Sequence, residues 1–192
     1  MIGPSPVAVP ILGFCAYSGT GKTTLLTSLI PRLREEGLRL ALVKHAHHSF
    51  DIDHPGKDSY ELRKAGADQV LIASRQRIAY VKERSSSSPE PHLRDILPCI
   101  DCEGLDLILV EGFKHEAIAK VEVYRLSLGK PMLHPTDRIV IAVATDEPVT
   151  LARDLPRLDL NAPDEIARFI LEWLRGPAAG SAPTRSAGGA AS

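Results

Sequence analysis

Apolar residues recur along this chain with two alternating signatures. Ile11 to Ala16 and Leu38 to Lys44 are short apolar runs bounded by turn-forming residues, which predicts strands. Between them, Leu25, Leu26, Leu29, Ile30 and Leu33 fall on one face of a helix spanning Lys22 to Glu36. Pro31 lies inside that pattern and predicts a kink; Gly37 predicts the stop. Asp58, followed three residues later by Glu61, predicts a short capped helix ending at Gly66. Val70 to Ala73 and Ile78 to Val81 flank a polar turn, the pattern of a hairpin. Leu93, Ile96, Leu97 and Ile100 fit a short helix, and Leu105 to Val110, Val121 to Leu126 and Ile139 to Ala144 read as strands. Pro163 suits a first helical position, after which Ile166, Phe169, Ile170, Trp173 and Leu174 trace one apolar stripe. Strands with so little alternation are covered on both faces. The predicted class is therefore α/β, a mainly parallel sheet flanked by helices with a β-hairpin added.

Composition narrows the function classes. The 192 residues carry 23 basic and 24 acidic side chains, a formal net charge of −1. A domain that coats nucleic acid needs a basic excess to displace counterions, so no nucleic-acid partner is expected. No apolar run reaches the ~18–20 residues that cross a bilayer, and the first ten residues lack the pattern of a secretory leader. No membrane association is expected, and the cytoplasm is the expected location. Three cysteines, Cys15, Cys99 and Cys102, do not make a disulfide scaffold. Residues 11–175 read as one domain, preceded by a flexible segment 1–10. The Gly, Ala, Ser and Pro of 176–192 offer no large apolar side chain and predict a disordered tail. Ser85 to Pro91 reads as a solvated internal loop.

The chemistry concentrates in Ala16-Tyr17-Ser18-Gly19-Thr20-Gly21-Lys22-Thr23-Thr24, between a predicted strand and a predicted helix. This is the context of a phosphate-binding P-loop. Glycines let backbone N–H groups turn inward, and the helix N-terminus adds a positive dipole end. Lys22 reaches toward β- and γ-phosphates, and the Thr23 hydroxyl is placed to ligate Mg²⁺. Ala16 occupies the position where the general pattern has glycine, and it serves there only with a negative φ. The strand Leu105 to Val110 runs into Glu111 and Gly112, supplying the second acidic strand end that such a loop needs to orient the metal. Asp106 lies at the other end of that strand and reads as a surface residue.

Lys44-His45-Ala46-His47-His48-Ser49-Phe50-Asp51-Ile52-Asp53 follows the second strand, at the edge where open α/β sheets bind ligands. His45, His47 and His48 invite zinc, but no fourth ligand follows at a standard spacing. Asp51 and Asp53 suit Mg²⁺ or water better. The segment reads as a switch-like loop in which Lys44 and the carboxylates sense the γ-phosphate or its metal; a polar surface loop is the alternative. Lys57, Arg63 and Lys64 fit an anion site or a solvated helix face equally well. Cys99 and Cys102 form a lone CxxC that reads as incidental spacing. Asp146, just past a late strand, is the candidate reader of guanine N1–H and its 2-amino group, with an ordinary turn as the alternative.

Four segments together resemble the MobB family, the molybdopterin-guanine dinucleotide biosynthesis adaptor protein B. They are Tyr17 to Leu26, Val43 to His48, Pro55 to Ser59 and Leu107 to Glu116, and the resemblance spans roughly residues 10 to 175. A P-loop alone would be generic; Lys-His-x-His-His and Val-Glu-Gly-Phe-Lys are more specific. The resemblance implies a P-loop NTPase fold and a homodimer that binds GTP with Mg²⁺ and has weak GTPase activity. It also implies a role beside the guanylyltransferase that attaches GMP to the molybdenum cofactor, and contact with the molybdopterin-molybdate insertion enzyme. The phosphate site carries over to Gly19, Gly21, Lys22, Thr23 and Thr24, with Glu111 at the second motif. Two other readings share the P-loop. A small-molecule kinase would need an arginine-bearing lid, for which Arg75, Arg77 and Arg84 are the available residues. A nucleotide-binding scaffold would need no productive turnover.

Overall fold

The computed structural model describes residues 9–46, 50–85 and 87–176. His47, His48 and the terminal segments 1–8 and 177–192, to which a switch role and disorder were assigned above, lie outside the described residues. Two compact units form, one from residues 46–91 and the other from the chain on either side of them.

The larger unit is built on six strands: β1 (Ile11–Cys15), β2 (Leu40–Lys44), β5 (Leu107–Glu111), β6 (Ala119–Tyr124), β7 (Val140–Thr145) and β8 (Arg157–Asp159). They lie in the order β2-β5-β1-β6-β7-β8, and every pairing is parallel. Successive side chains of β5 explain its unbroken apolar run. Leu107 and Leu109 enter the core beneath α1 (Lys22–Glu35) and α4 (Pro163–Arg175), while Ile108 and Val110 pack on the other face with Leu93 and Leu97. Leu93 belongs to the four-residue helix α3 (Leu93–Ile96) and Leu97 to the 3-10 turn that follows. Leu25, Leu26, Leu29 and Leu33 are the buried stripe of α1; Ile166 and Ile170 are fully buried on α4. Trp173 packs at the edge of the same core.

Several boundaries move from their sequence-based positions. The helix α1 continues through Pro31, which lies on its exposed side. The strand expected at Val121 to Leu126 is β6, two residues earlier, because Leu126 turns into a 3-10 segment and is exposed. Strand β8 was not expected: only Leu158 of its three residues is buried, too little for a periodic signal.

The smaller unit contains α2 (Asp58–Lys64) and the antiparallel hairpin of β3 (Gln69–Ala73) and β4 (Ile78–Lys82). The N-cap of α2 is Lys57 and no side chain caps it, so the expected Asp58–Glu61 capping box does not form; Asp58 sits one position inside. Pairing of Leu71 with Tyr80 and of Ala73 with Ile78 sets these residues on one hairpin face, and Leu71, Ile78 and Tyr80 are all exposed. Among the described residues, no helix is long and apolar enough to cross a membrane.

Candidate nucleotide site

In the sheet order, β1 lies between β5 and β6, so the loop leaving β1 opens beside the ends of both neighbours. Gly21 takes φ +89° and serves as the N-cap of α1, a left-handed turn that an L-residue adopts only with strain. Ala16 is not among the positive-φ residues, so alanine meets the requirement set for it above. The first turn of α1 has no acidic residue and no side-chain cap, whereas α4 carries Asp164 and Glu165 there. The positive end of α1 is thus left for an external anion.

Lys22 folds back over the loop. Its Nζ donates to the Ala16 carbonyl at 3.3 Å and the Tyr17 carbonyl at 3.2 Å. Burial lowers its pKa from the ordinary lysine value, and the Glu111 carboxylate pulls against that shift. Neutral carbonyls are weak partners for an ammonium, and a phosphate would replace them favourably. The Thr20 hydroxyl ties the loop to itself by donating to the Tyr17 carbonyl at 3.0 Å.

Glu111 ends β5, and its register partners are Phe14 on β1 and Lys44 on β2. It is 8% exposed and accepts a hydrogen bond from the Thr23 hydroxyl at 2.9 Å, while Lys44 Nζ lies 3.5 Å from its second oxygen. A threonine hydroxyl beside a carboxylate, at the head of a bare helix terminus, is a hard oxygen pair suited to Mg²⁺. Beyond Glu111 the chain turns at Gly112, φ +92°, and Phe113, φ +48°. A Cβ on Gly112 would come within 2.8 Å of the His45 Cβ. His45 stacks on Phe113 with ring centroids 4.5 Å apart, and its N–H donates to the Glu111 carbonyl at 2.9 Å. The ends of β2 and β5 are therefore stitched together around the carboxylate.

On the other side of the loop the structure brings in a residue that sequence reading missed. Tyr124 and Thr145 are register partners at the ends of β6 and β7, so Arg125 and Asp146 emerge side by side. Arg125 Nη1 donates to Asp146 Oδ2 at 2.7 Å, and its Nε donates to the Thr20 carbonyl at 2.9 Å. Asp146 Oδ1 is buried without a hydrogen-bond partner. A cavity of about 300 Å³ opens there, lined among others by Thr145, Asp146, Glu147, Arg157 and Asn161.

In the smaller unit, Asp51 pairs with Arg63, and Asp53 accepts from the Ser59 hydroxyl. That hydroxyl holds the half-buried Asp53 carboxyl below the usual carboxylate range. Arg63 also pairs with Glu83 at 2.7 Å, which assigns it to a structural role rather than an anion site. Cys99 is exposed and Cys102 half-buried, each with a free thiol. Glu116 accepts from His92 Nδ1 and from the Leu93 N–H, both at 3.1 Å, and so anchors the start of α3. Among the described residues, no group of three or more His, Cys, Asp and Glu side chains is arranged to hold a metal.

Comparison with known proteins agrees with this geometry. The model of the family described as "MobB: Molybdopterin guanine dinucleotide synthesis protein B" matches residues 11–146. A molybdopterin-guanine dinucleotide biosynthesis adapter protein of Escherichia coli is 51% identical over 168 residues, covering 87% of this chain and 94% of that protein. The adapter protein of Haemophilus influenzae is 43% identical over 167 residues, covering 86% and 90% respectively. A crystal structure of molybdopterin-guanine biosynthesis protein B superposes with a TM-score of 0.66 at 32% identity, over 86% of this chain and 99% of that one.

Proposed function

We propose that this chain, which belongs to the MobB family, is a GTP-binding accessory protein of molybdopterin guanine dinucleotide synthesis. The observation that carries this reading is the convergence of Lys22, Thr23 and Glu111 at the unneutralised N-terminus of α1. Backbone N–H groups of Ser18 to Thr24 would cradle the phosphates, and Lys22 would exchange its two carbonyl partners for phosphate oxygens. Thr23 and Glu111 would hold Mg²⁺, which when bound neutralises charge on the β- and γ-phosphates. Lys44 pairs with Glu111 at 3.5 Å and would face the γ-phosphate. Asp51 and Asp53, the other carboxylates suited to Mg²⁺ by sequence, are engaged by Arg63 and by Ser59 within the smaller unit. Asp146 would read guanine through N1–H and the 2-amino group.

Turnover in this reading is slow. Arg125, the arginine beside the loop, is engaged by the Thr20 carbonyl and by Asp146, so efficient hydrolysis of the β–γ bond would await a partner. The relatives are adapter proteins of molybdopterin-guanine dinucleotide biosynthesis, and in this reading the partner is the guanylyltransferase that transfers GMP to the molybdenum cofactor, with the molybdopterin-molybdate insertion enzyme as a second contact. The protein would act in the cytoplasm as a homodimer. The exposed hairpin face of Leu71, Ile78 and Tyr80 is the surface for the second copy.

The test is nucleotide titration followed by single-turnover hydrolysis, with and without the guanylyltransferase. Wild type is expected to bind GTP with Mg²⁺, and Lys22→Ala to lose most of that affinity. Equal binding by both would overturn the phosphate cradle. Hydrolysis that does not rise with the guanylyltransferase would leave a scaffold. Transfer to a small acceptor in its absence would make the protein a kinase.

A further inference from the structure

Arg125 belongs to neither phosphate motif, yet its guanidinium touches both halves of the site. Nε donates to the Thr20 carbonyl, inside the loop, and Nη1 donates to Asp146 Oδ2. The same guanidinium lies against Gly21, whose Cβ position would be 3.6 Å from Nη2. Its side chain is one-third exposed and that of Asp146 is 15% exposed, so the pair is shielded without being sealed. A planar guanidinium offers donors in fixed directions, and here two of them point to partners at a fixed mutual angle. A carboxylate oxygen accepts two hydrogen bonds, so pairing Oδ2 does not exhaust Asp146, and Oδ1 has no partner at all. Arg125 thereby orients the carboxylate while leaving it acceptor capacity.

We propose that Arg125 is a positioning residue that makes the phosphate loop and the base-reading carboxylate a single rigid site, so that guanine recognition and triphosphate binding are coupled through it. The inference rests on the nucleotide reading above and deepens it. Without Arg125, the Thr20 carbonyl loses a charged donor and the loop loses a brace. Asp146 loses its counter-charge and its orientation together.

The experiment measures binding of GTP, ITP and inorganic tripolyphosphate, each with Mg²⁺, to the full chain by calorimetry. ITP lacks the 2-amino group, and tripolyphosphate lacks the base altogether. The variants are Arg125→Met, Arg125→Lys and Asp146→Ala, each checked for an unchanged circular dichroism spectrum. Wild type is expected to prefer GTP over ITP. Arg125→Met is expected to weaken GTP roughly tenfold to a hundredfold, erase the preference over ITP, and weaken tripolyphosphate by a smaller factor. Asp146→Ala is expected to erase the preference and, by freeing one end of the brace, to weaken tripolyphosphate by a smaller factor than Arg125→Met does. If Arg125→Met does not fold, Arg125→Lys decides: one ammonium cannot span both partners, so at least one readout stays defective. An Arg125→Met variant that weakens GTP and ITP equally, or leaves tripolyphosphate unchanged, overturns the coupling. So does a lysine variant that restores both readouts, or a wild type that does not distinguish GTP from ITP. A wild type that binds neither GTP nor tripolyphosphate overturns the nucleotide reading itself.

Discussion

The Thr23 hydroxyl donates to the Glu111 carboxylate across 2.9 Å, joining two motifs that lie 88 residues apart in the chain. The contact exists because β1 and β5 are parallel neighbours, so the loop after one and the acid ending the other emerge at the same edge. Glu111→Gln keeps an acceptor for Thr23 but removes the negative charge that faces Lys44 and that would face a bound Mg²⁺. GTP affinity measured in Mg²⁺ is expected to fall about tenfold or more, whereas affinity in a chelator changes little. Equal losses in both conditions would show that Glu111 acts on the loop alone.

Gly112 is held by space as well as by torsion. Its φ of +92° disfavours any side chain, and a Cβ would meet the His45 Cβ at 2.8 Å. Gly112→Ala is expected to destabilise the fold by about 1–3 kcal/mol through the torsion alone, with the clash adding to it. Urea unfolding measures the loss. Because His45 follows directly on Lys44, the variant should also disturb the Lys44–Glu111 pair, seen as weaker Mg²⁺-dependent GTP binding.

What the sequence made legible follows from how local each signal is. The P-loop is a contiguous run whose flanking strand and helix are both periodic, and Lys22, Thr23 and Glu111 stand where the pattern places them. Arg125 carries no such signal: it is a lone arginine after a strand. Its role depends on the β6–β7 register and on the position of β1 beside β6, neither of which is written in neighbouring residues. The same holds for Lys120 and Glu122. They are charged residues on β6, yet each is 1% exposed, because a loop from residues 133 to 137 covers that face. Strand β8 was invisible because a three-residue element has no period to detect.

That covering loop yields its own prediction. Glu122 accepts from the Leu133 N–H at 2.6 Å, the His134 N–H at 2.9 Å and His134 Nδ1 at 2.9 Å. The Ala152 N–H donates to His134 Nε2 at 3.1 Å, so the imidazole proton resides on Nδ1. Removing the carboxylate orphans three donors at once in a buried site. Glu122→Ala is expected to destabilise the chain by about 3–5 kcal/mol in denaturant titration. His134→Ala leaves Glu122 two backbone donors and should do less harm. The reverse ranking would mean that ring packing, not the carboxylate, holds the loop.

Cys15 tests the burial of the strand beneath the phosphate loop. It is 1% exposed, and burial pushes its thiol from the ordinary 9.0 up to about 12, with Lys120 opposing and Glu122 reinforcing the shift. A thiol that stays protonated and covered is a poor nucleophile. At pH 8 a thiol reagent is expected to modify exposed Cys99 quickly and half-buried Cys102 more slowly, leaving Cys15 intact until denaturant is added. The sign of the pH dependence follows from the same shift. The unfolded chain releases this proton near pH 9, whereas the folded chain keeps it to about pH 12. The contribution to stability is complete below the unfolded value and is lost as pH rises through that window. Cys15→Ala removes the titrating group, so its stability should fall less steeply than that of wild type between those limits. Parallel curves would place the proton release elsewhere.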